Sequence, residues 1–423
     1  MPARARRRDM RRRTRVGEIE LTEGIHPLPG CEGYAAARLL VRLRGRPVAW
    51  LVLPTRGAPV LSALELRLRI GEELGWDLVP ASLGSRLAPP SPPLRTAISV
   101  VVCTRDRPAL LRRCLQSLLA LEGSDDHEIV VVDNAPSSDA TARLVATLPV
   151  RYVRESRPGL DWARNRGLAA ARHPIVAYTD DDAVADPGWL RALAGAFADP
   201  DVAGVTGLVA PLELESEAQN WFELRYGGMG KGLVPRTFVP GALTPEQLLA
   251  VHHTGVGANM AFRREVLQAL GGFDTALDVG TPAQGGGDLD LFHRLLTAGH
   301  LLRYAPDALV WHQHRRTMPE LWRQLYQDGR SFGVYLLKCW RSQGVRRRDV
   351  VRFTLGRWVP WLVGRCALGL LGRGALPQHL LYAGLRGALA APRAYRGTYR
   401  SDARIRAAEG LRLTPGAPPG RGG

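Results

Sequence analysis

The region from Thr96 to Asp182 limits the fold more than any other part of the chain. TAISVVVCT, HEIVVVDN, VRYVRES and PIVAYTDDD contain short apolar runs rich in β-branched residues, the pattern of buried strands. Between them, PALLRRCLQSLLAL, TARLVATL and LDWARNRGLAAAR have amphipathic helical spacing. Connections of about two to six residues join these elements. Such alternation predicts a doubly wound α/β fold with a parallel sheet. Ligands of such sheets bind outside the carboxyl ends of the strands. The loops at those ends are Thr104-Arg105-Asp106-Arg107, Asp133-Asn134 and Asp180-Asp181-Asp182.

Three adjacent carboxylates repel one another and make poor core or strand residues. One reading is an Asp-rich turn ahead of a helix starting near Pro187. The other is a metal site, whose hard oxygen ligands suit Mg²⁺ or Mn²⁺ and through the ion a substrate diphosphate. No GxGxxG or GxxxxGK[ST] occupies the first strand–helix turn, which disfavours dinucleotide oxidoreductases and P-loop NTPases.

The rest of the chain divides around this region. Residues 1–17 read as a basic disordered tail and 18–87 as a small α+β accessory domain. In the latter, LLVRLRGRPVAWLVLP suggests a hairpin around Gly45-Arg46-Pro47. ALELRLRIGEELGW suggests a helix with Leu64, Leu68 and Leu74 on one face. Residues 88–95 are a Pro-rich linker, 96–316 the principal α/β domain, 317–400 a basic helical region and 401–423 a flexible tail. Phe353–Gly372 has membrane-spanning length, but Arg357, Pro360 and Arg365 interrupt it, so an amphipathic helix pair docked on the protein or on the bilayer surface is expected instead.

The net charge of +17 is almost wholly arginine, with lysine only at Lys231 and Lys338. The arginines are not interleaved with stacking aromatics on a nucleic-acid module, so no specific nucleic-acid partner is expected. Five scattered cysteines without CxxC spacing predict a reduced compartment and no disulfide framework. The basic start lacks an apolar h-region, so no signal peptide is expected. A cytoplasmic protein, peripheral at the inner face of the cell membrane, follows as the expectation.

ISVVVCTRDRP, EIVVVDN, GLDWARNRGL and IVAYTDDD, in that order, resemble the nucleotide-binding half of glycosyltransferase family 2. GVGANMAFRREVLQALGGFDTAL and GGGDLDLFHRLLTAGHLLRYAPDALVWHQHR resemble its acceptor half. The resemblance covers roughly Thr96 to Arg316. It implies a GT-A fold, Rossmann-like with a mainly parallel sheet and flanking helices. It also implies metal-assisted, inverting transfer from a nucleotide-diphosphate sugar to an acceptor hydroxyl, in cell-envelope or glycan synthesis. By the same resemblance, Thr104, Arg105, Asp106, Asp133, Arg164, Asp180 and Asp181 contact the nucleotide sugar. Asp180, Asp182 and His312 hold Mg²⁺ or Mn²⁺, and Asp288 is the base. Asn259, Asp290 and Trp311 line the acceptor side, where a glycan, lipid-linked or small-molecule acceptor would sit. At Gly287 the sequence departs from the Glu that commonly precedes this Asp. The loop Gly227–Pro245 is a candidate lid. Alternative readings are a metal-dependent nucleotidyltransferase, disfavoured by the glycine-free CTRDRP loop, or a non-catalytic carbohydrate- or nucleic-acid-binding protein.

Overall fold

A computed structural model describes residues 13–87, 96–122, 127–342, 344–371 and 376–411. The first twelve residues of the expected tail, the linker 88–95 and the end of the C-terminal tail, 412–423, lie outside the described residues.

The N-terminal module is a three-stranded sheet of β1 (Arg13–Glu20), β2 (Tyr34–Leu43) and β3 (Arg46–Pro54), with β1 parallel and β3 antiparallel to β2. The hairpin turns on Arg44 and Gly45, whose φ values of 53° and 76° suit a two-residue loop that follows the strand twist. β1 begins within the stretch expected to be a tail. Its Thr14 and Val16 are buried, and the Thr14 N–H donates to the Leu214 carbonyl at 2.9 Å. The helix Ala63–Leu87 covers the sheet through Leu66, Ile70 and Leu74, spaced four apart. The expected pair Leu64 and Leu68 lies half a turn away and is 67% and 57% exposed.

Among the described residues the main sheet has nine strands: β4 (Ile98–Thr104), β5 (Glu128–Asn134), β6 (Arg151–Glu155), β7 (Ile175–Asp180), β8 (Ala183–Ala185), β9 (Val202–Pro211), β10 (Arg236–Phe238), β11 (Asn259–Arg263) and β12 (Leu301–His312). Their order is β10-β12-β9-β11-β7-β4-β5-β6, with β8 paired to β12. β4, β5, β6 and β7 are mutually parallel. β11 runs antiparallel between β7 and β9, and β12 runs parallel to β9. Six strands therefore point the same way, and Thr104, Asn134, Asp180 and His312 end at one edge. Strand alternation divides the core. Val100 and Val102 face the helices Pro108–Leu119 and Trp189–Ala196. Val101 faces the helices Leu160–Ala170 and Gly287–Thr297. This is the α/β arrangement expected from the alternation.

The module is docked on the main domain. Leu40 packs with Leu208, Ala210 and Leu309, and Trp50 and Trp311 close the patch. Arg42 pairs with Asp186 in a buried ion pair, and Arg46 meets Asp307 at 2.7 Å.

The C-terminal region is helical: Met318–Arg341, Arg347–Phe353, Val359–Leu370 and Gln378–Ala408. Its two long helices touch backbone to backbone. A Cβ on Gly329 would lie 2.1 Å from the Gly384 carbonyl, and one on Gly387 would lie 2.0 Å from that of Tyr326. The last helix continues past residue 400, where a flexible tail was expected, because Asp402 is buried and accepts from Thr275 Oγ1 at 2.6 Å. Among the described residues no helix is long and apolar enough to cross a membrane. The candidate lid is anchored midway by β10 on β12 and by the Tyr304 hydroxyl donating to the Gly232 carbonyl at 2.7 Å.

Candidate active site

At the carboxyl edge of the sheet lies a cavity of about 1040 Å³, roofed by the C-terminal helices. Thr104, Arg105, Arg164, Asp180, Asp181, Asp182, Asp288 and His312 all line it. Strand geometry brings the first group together. Asp180 ends β7, Asp181 and Asp182 form the turn into β8, and β8 pairs with the end of β12, placing Val184 opposite Trp311 and Ala183 opposite His312.

Asp180, Asp182 and His312 each offer an atom within 4.8 Å of the others. His312 Nε2 lies 3.1 Å from Asp182 Oδ1, and Arg107 and Arg315 approach Asp182 Oδ2 at 3.6 and 3.8 Å. Burial opposes charge on Asp182, but His312, Arg315 and Arg107 outweigh it and hold its carboxyl below the usual carboxylate range. Burial likewise opposes a charged His312, yet Asp182 and Asp180 raise its pKa above the ordinary value. Asp180 is raised by burial and then by the charge of Asp182. Two carboxylate oxygens and an imidazole nitrogen at this spacing fit a hard divalent cation such as Mn²⁺ or Mg²⁺.

Asp181 points elsewhere. It accepts from Thr104 Oγ1 at 2.7 Å and Arg107 Nη1 at 3.3 Å. Burial and Asp182 push its pKa up to about 6. Its geometry ties the loop after β4 to the loop after β7.

Arg164 is clamped between Asp161 at 2.9 Å and Asp278 at 2.6 Å. Asp161 is fully buried and its Oδ2 has no hydrogen-bond partner among the described residues. That oxygen explains Gly287: a Cβ there would lie 2.1 Å from it, so Asp161 occupies the space a side chain at 287 would need. Asp288, in the first turn of the helix Gly287–Thr297, accepts from the backbone N–H of Gly257 and of Leu289, each at 2.8 Å. Burial and then Asp278 raise its pKa above the usual range.

Other expected residues are placed differently. Asp106 does not line the cavity; its Oδ1 accepts from the N–H and hydroxyl of Ser137 at 2.9 and 2.8 Å and so staples two loops. Asp133 is buried behind the edge and accepts from Tyr152 at 3.0 Å, and its Oδ1 has no partner among the described residues. The three expected acceptor residues do not line the cavity at all. Asn259 is saturated, donating to the carbonyls of Leu208 and Ala308 and accepting from Trp189 Nε1. Asp290 faces away from Asp288 and forms a buried ion pair with Arg294 at 2.8 Å and another with Lys338. Trp311 packs against the N-terminal module.

Several lining residues were not singled out by the sequence. Arg107, named only as part of the loop after β4, and Arg315 each lie three residues past a strand end, which was a usable signal. Lys231, Asp278 and Asp328 carried no periodic or motif signal. Burial and Asp288 push Asp328 up to about 7. The far wall combines Tyr226, Phe332, Trp358, Trp361, Arg357 and Arg365.

Residues 99–271 match the family described as Glycosyl transferase family 2. A pre-mycofactocin glycosyltransferase of Mycobacterium tuberculosis is 30% identical over 260 residues, 59% of this chain and 50% of that protein. A glucosyl-dolichyl phosphate glucuronosyltransferase of Haloferax volcanii is 28% identical over 184 residues, 42% of this chain and 56% of its own. The chain thus spans about half the length of these curated relatives. A solved mannosyltransferase from Pyrobaculum calidifontis, in complex with GDP-Man and Mn²⁺, is 21% identical with a TM-score of 0.46, covering 80% of this chain and 85% of that one. The family match and the curated relatives together show that residues 99–271 carry a segment similar to glycosyl transferase family 2.

Proposed function

We propose that this protein transfers a glycosyl group, with inversion, from a nucleotide-diphosphate sugar to an acceptor hydroxyl. The observation that carries this reading is one cavity holding both the Asp180, Asp182 and His312 cluster and the separate carboxylate of Asp288. A divalent ion held by that cluster would neutralise charge on the departing diphosphate. Arg107 and Arg315, beside Asp182, supply fixed positive charge to the same end of the cavity. Thr104 and Asp181 lock the two loops that would flank the nucleotide. Asp288 takes the proton of the attacking hydroxyl; its raised proton affinity makes it a better acceptor than an exposed Asp. The roof of C-terminal helices excludes water that would otherwise compete with the acceptor.

A panel of nucleotide-diphosphate sugars tested by thermal shift, with Mn²⁺ and then with EDTA, checks the donor. A metal-dependent rise in melting temperature for one sugar nucleotide is expected. No shift with any donor would remove the reading.

The acceptor enters along the aromatic and arginine-bearing wall, which suits a molecule with an apolar part and an anionic group. The same helical region leaves Leu355, Val363 and Leu370 exposed, as it does Arg348 and Arg352. This pattern supports contact with an anionic membrane surface and a role in cell-envelope synthesis. Co-sedimentation with anionic vesicles, and not with zwitterionic ones, is the expected result; equal absence from both pellets would discard the membrane contact.

A further inference from the structure

A line of hydrogen bonds runs from the N-terminal module into the back of the metal cluster. Arg38, on β2, is largely buried and lies 4.5 Å over the Trp50 ring. Its Nη2 donates to Glu223 Oε1 at 2.8 Å. Glu223, in the helical turn Phe222–Tyr226, faces His314 Nε2 with its other oxygen at 3.1 Å. Nδ1 of His314 lies 3.2 Å from Nδ1 of His312. Nε2 of His312 then faces Asp182.

We propose that Arg38, Glu223 and His314 are positioning residues that present His312 to a metal ion, so that the N-terminal module is a working part of the catalytic centre. This rests on the reading that Asp180, Asp182 and His312 hold the ion.

The proton count supports it. An ionised carboxylate only accepts, so the proton between Glu223 and His314 belongs to Nε2 of His314. In a neutral ring the other nitrogen is then a lone pair, and Nδ1 of His314 must accept from Nδ1–H of His312. That leaves Nε2 of His312 as the atom directed at the cluster: without metal it donates to Asp182 Oδ1 at 3.1 Å, and a bound cation would replace that proton and meet its lone pair.

The sterics agree. The His314 ring stands edge-on to Phe222 at 4.8 Å between centroids, which fixes its plane. Glu223 is walled by Gly228, where a Cβ would lie 2.1 Å from Oε2. Arg38 neutralises Glu223, which would otherwise be a buried carboxylate facing only a histidine. Partners behind a ligating histidine commonly set its tautomer and orientation.

The test uses the full chain. Mn²⁺ affinity is measured by electron paramagnetic resonance for the wild type, Glu223→Gln, Arg38→Lys and Arg38→Ala. Imidazole ¹⁵N shifts are recorded for the same proteins without metal. Glu223→Gln should weaken Mn²⁺ about 10–100-fold and change the tautomer signature of His314 and His312. Arg38→Ala should weaken it in the same direction, with Arg38→Lys between. Should Glu223→Gln not fold, Arg38→Lys retains the charge and carries the same measurement. A wild type that binds no Mn²⁺ would overturn the metal reading itself. Wild-type binding with unchanged affinity and unchanged ¹⁵N shifts in folded variants would overturn this inference alone.

Discussion

Asp288→Asn is expected to lower transfer by about 10²–10⁴-fold while the sugar nucleotide still binds with its metal. The two backbone N–H groups of Gly257 and Leu289 hold the carboxylate in place. Asparagine keeps the shape and one of these contacts, but it offers no oxygen basic enough to take a proton. Donor affinity, measured calorimetrically, should therefore separate from turnover. The pH profile gives a second check. A base works only when deprotonated, so activity falls as pH falls through its pKa. Burial and Asp278 raise that pKa, so the acidic limb of the wild type should lie above the ordinary Asp value of about 4. Normal turnover in the variant would take Asp288 out of the role.

Asp182→Ala should abolish the part of donor affinity that depends on Mn²⁺. Asp182 is the most heavily engaged of the three candidate ligands, with His312, Arg107 and Arg315 all directed at it. Its loss should exceed the roughly 10–100-fold cost of disturbing an outer partner. Titration of the sugar nucleotide with and without Mn²⁺ measures this; equal affinities for variant and wild type would end the assignment. Stability should respond as well. The folded-state pKa of Asp182 is depressed, so its contribution is present above the unfolded carboxylate value and lost as pH falls through the folded one. The variant should melt below the wild type at neutral pH, with the gap closing in acid.

The strand–helix order from β4 to β7 was legible because each strand is a continuous apolar run ending at a polar loop. The carboxylates Asp180 and Asp182 were legible because they fall on such an end. What failed was the choice of side. Asp290 is two residues from Asp288, which on a helix is about 200° around the axis, so it turns to Lys338 and Arg294. Trp311 precedes His312 in β12, and successive strand residues face opposite sides of the sheet, so it turns to the N-terminal module. Asn259 looked like a polar lining residue, but the backbone carbonyls of β9 and β12 consume its amide. Arg164 was expected beside the nucleotide; that Asp161 and Asp278 clamp it needed the tertiary structure, since Asp278 lies far along the chain. Glu223 gave no sign at all, because its partners Arg38 and His314 come from two segments far from it in the chain.

The two long C-terminal helices meet at glycines, with no side chain between Gly329 and Gly384 or between Gly387 and Tyr326. Both helices also contribute to the cavity wall, through Gln327, Asp328 and Phe332 on one and Leu380 and Gly384 on the other. The span of that wall is thus fixed by main chain resting on main chain, which has no further travel inward. It can only be widened. A single methyl group at Gly329 or Gly387 would act as a shim, so the girth of molecule this protein admits is set at its lower bound by bare backbone and is open to enlargement one carbon at a time.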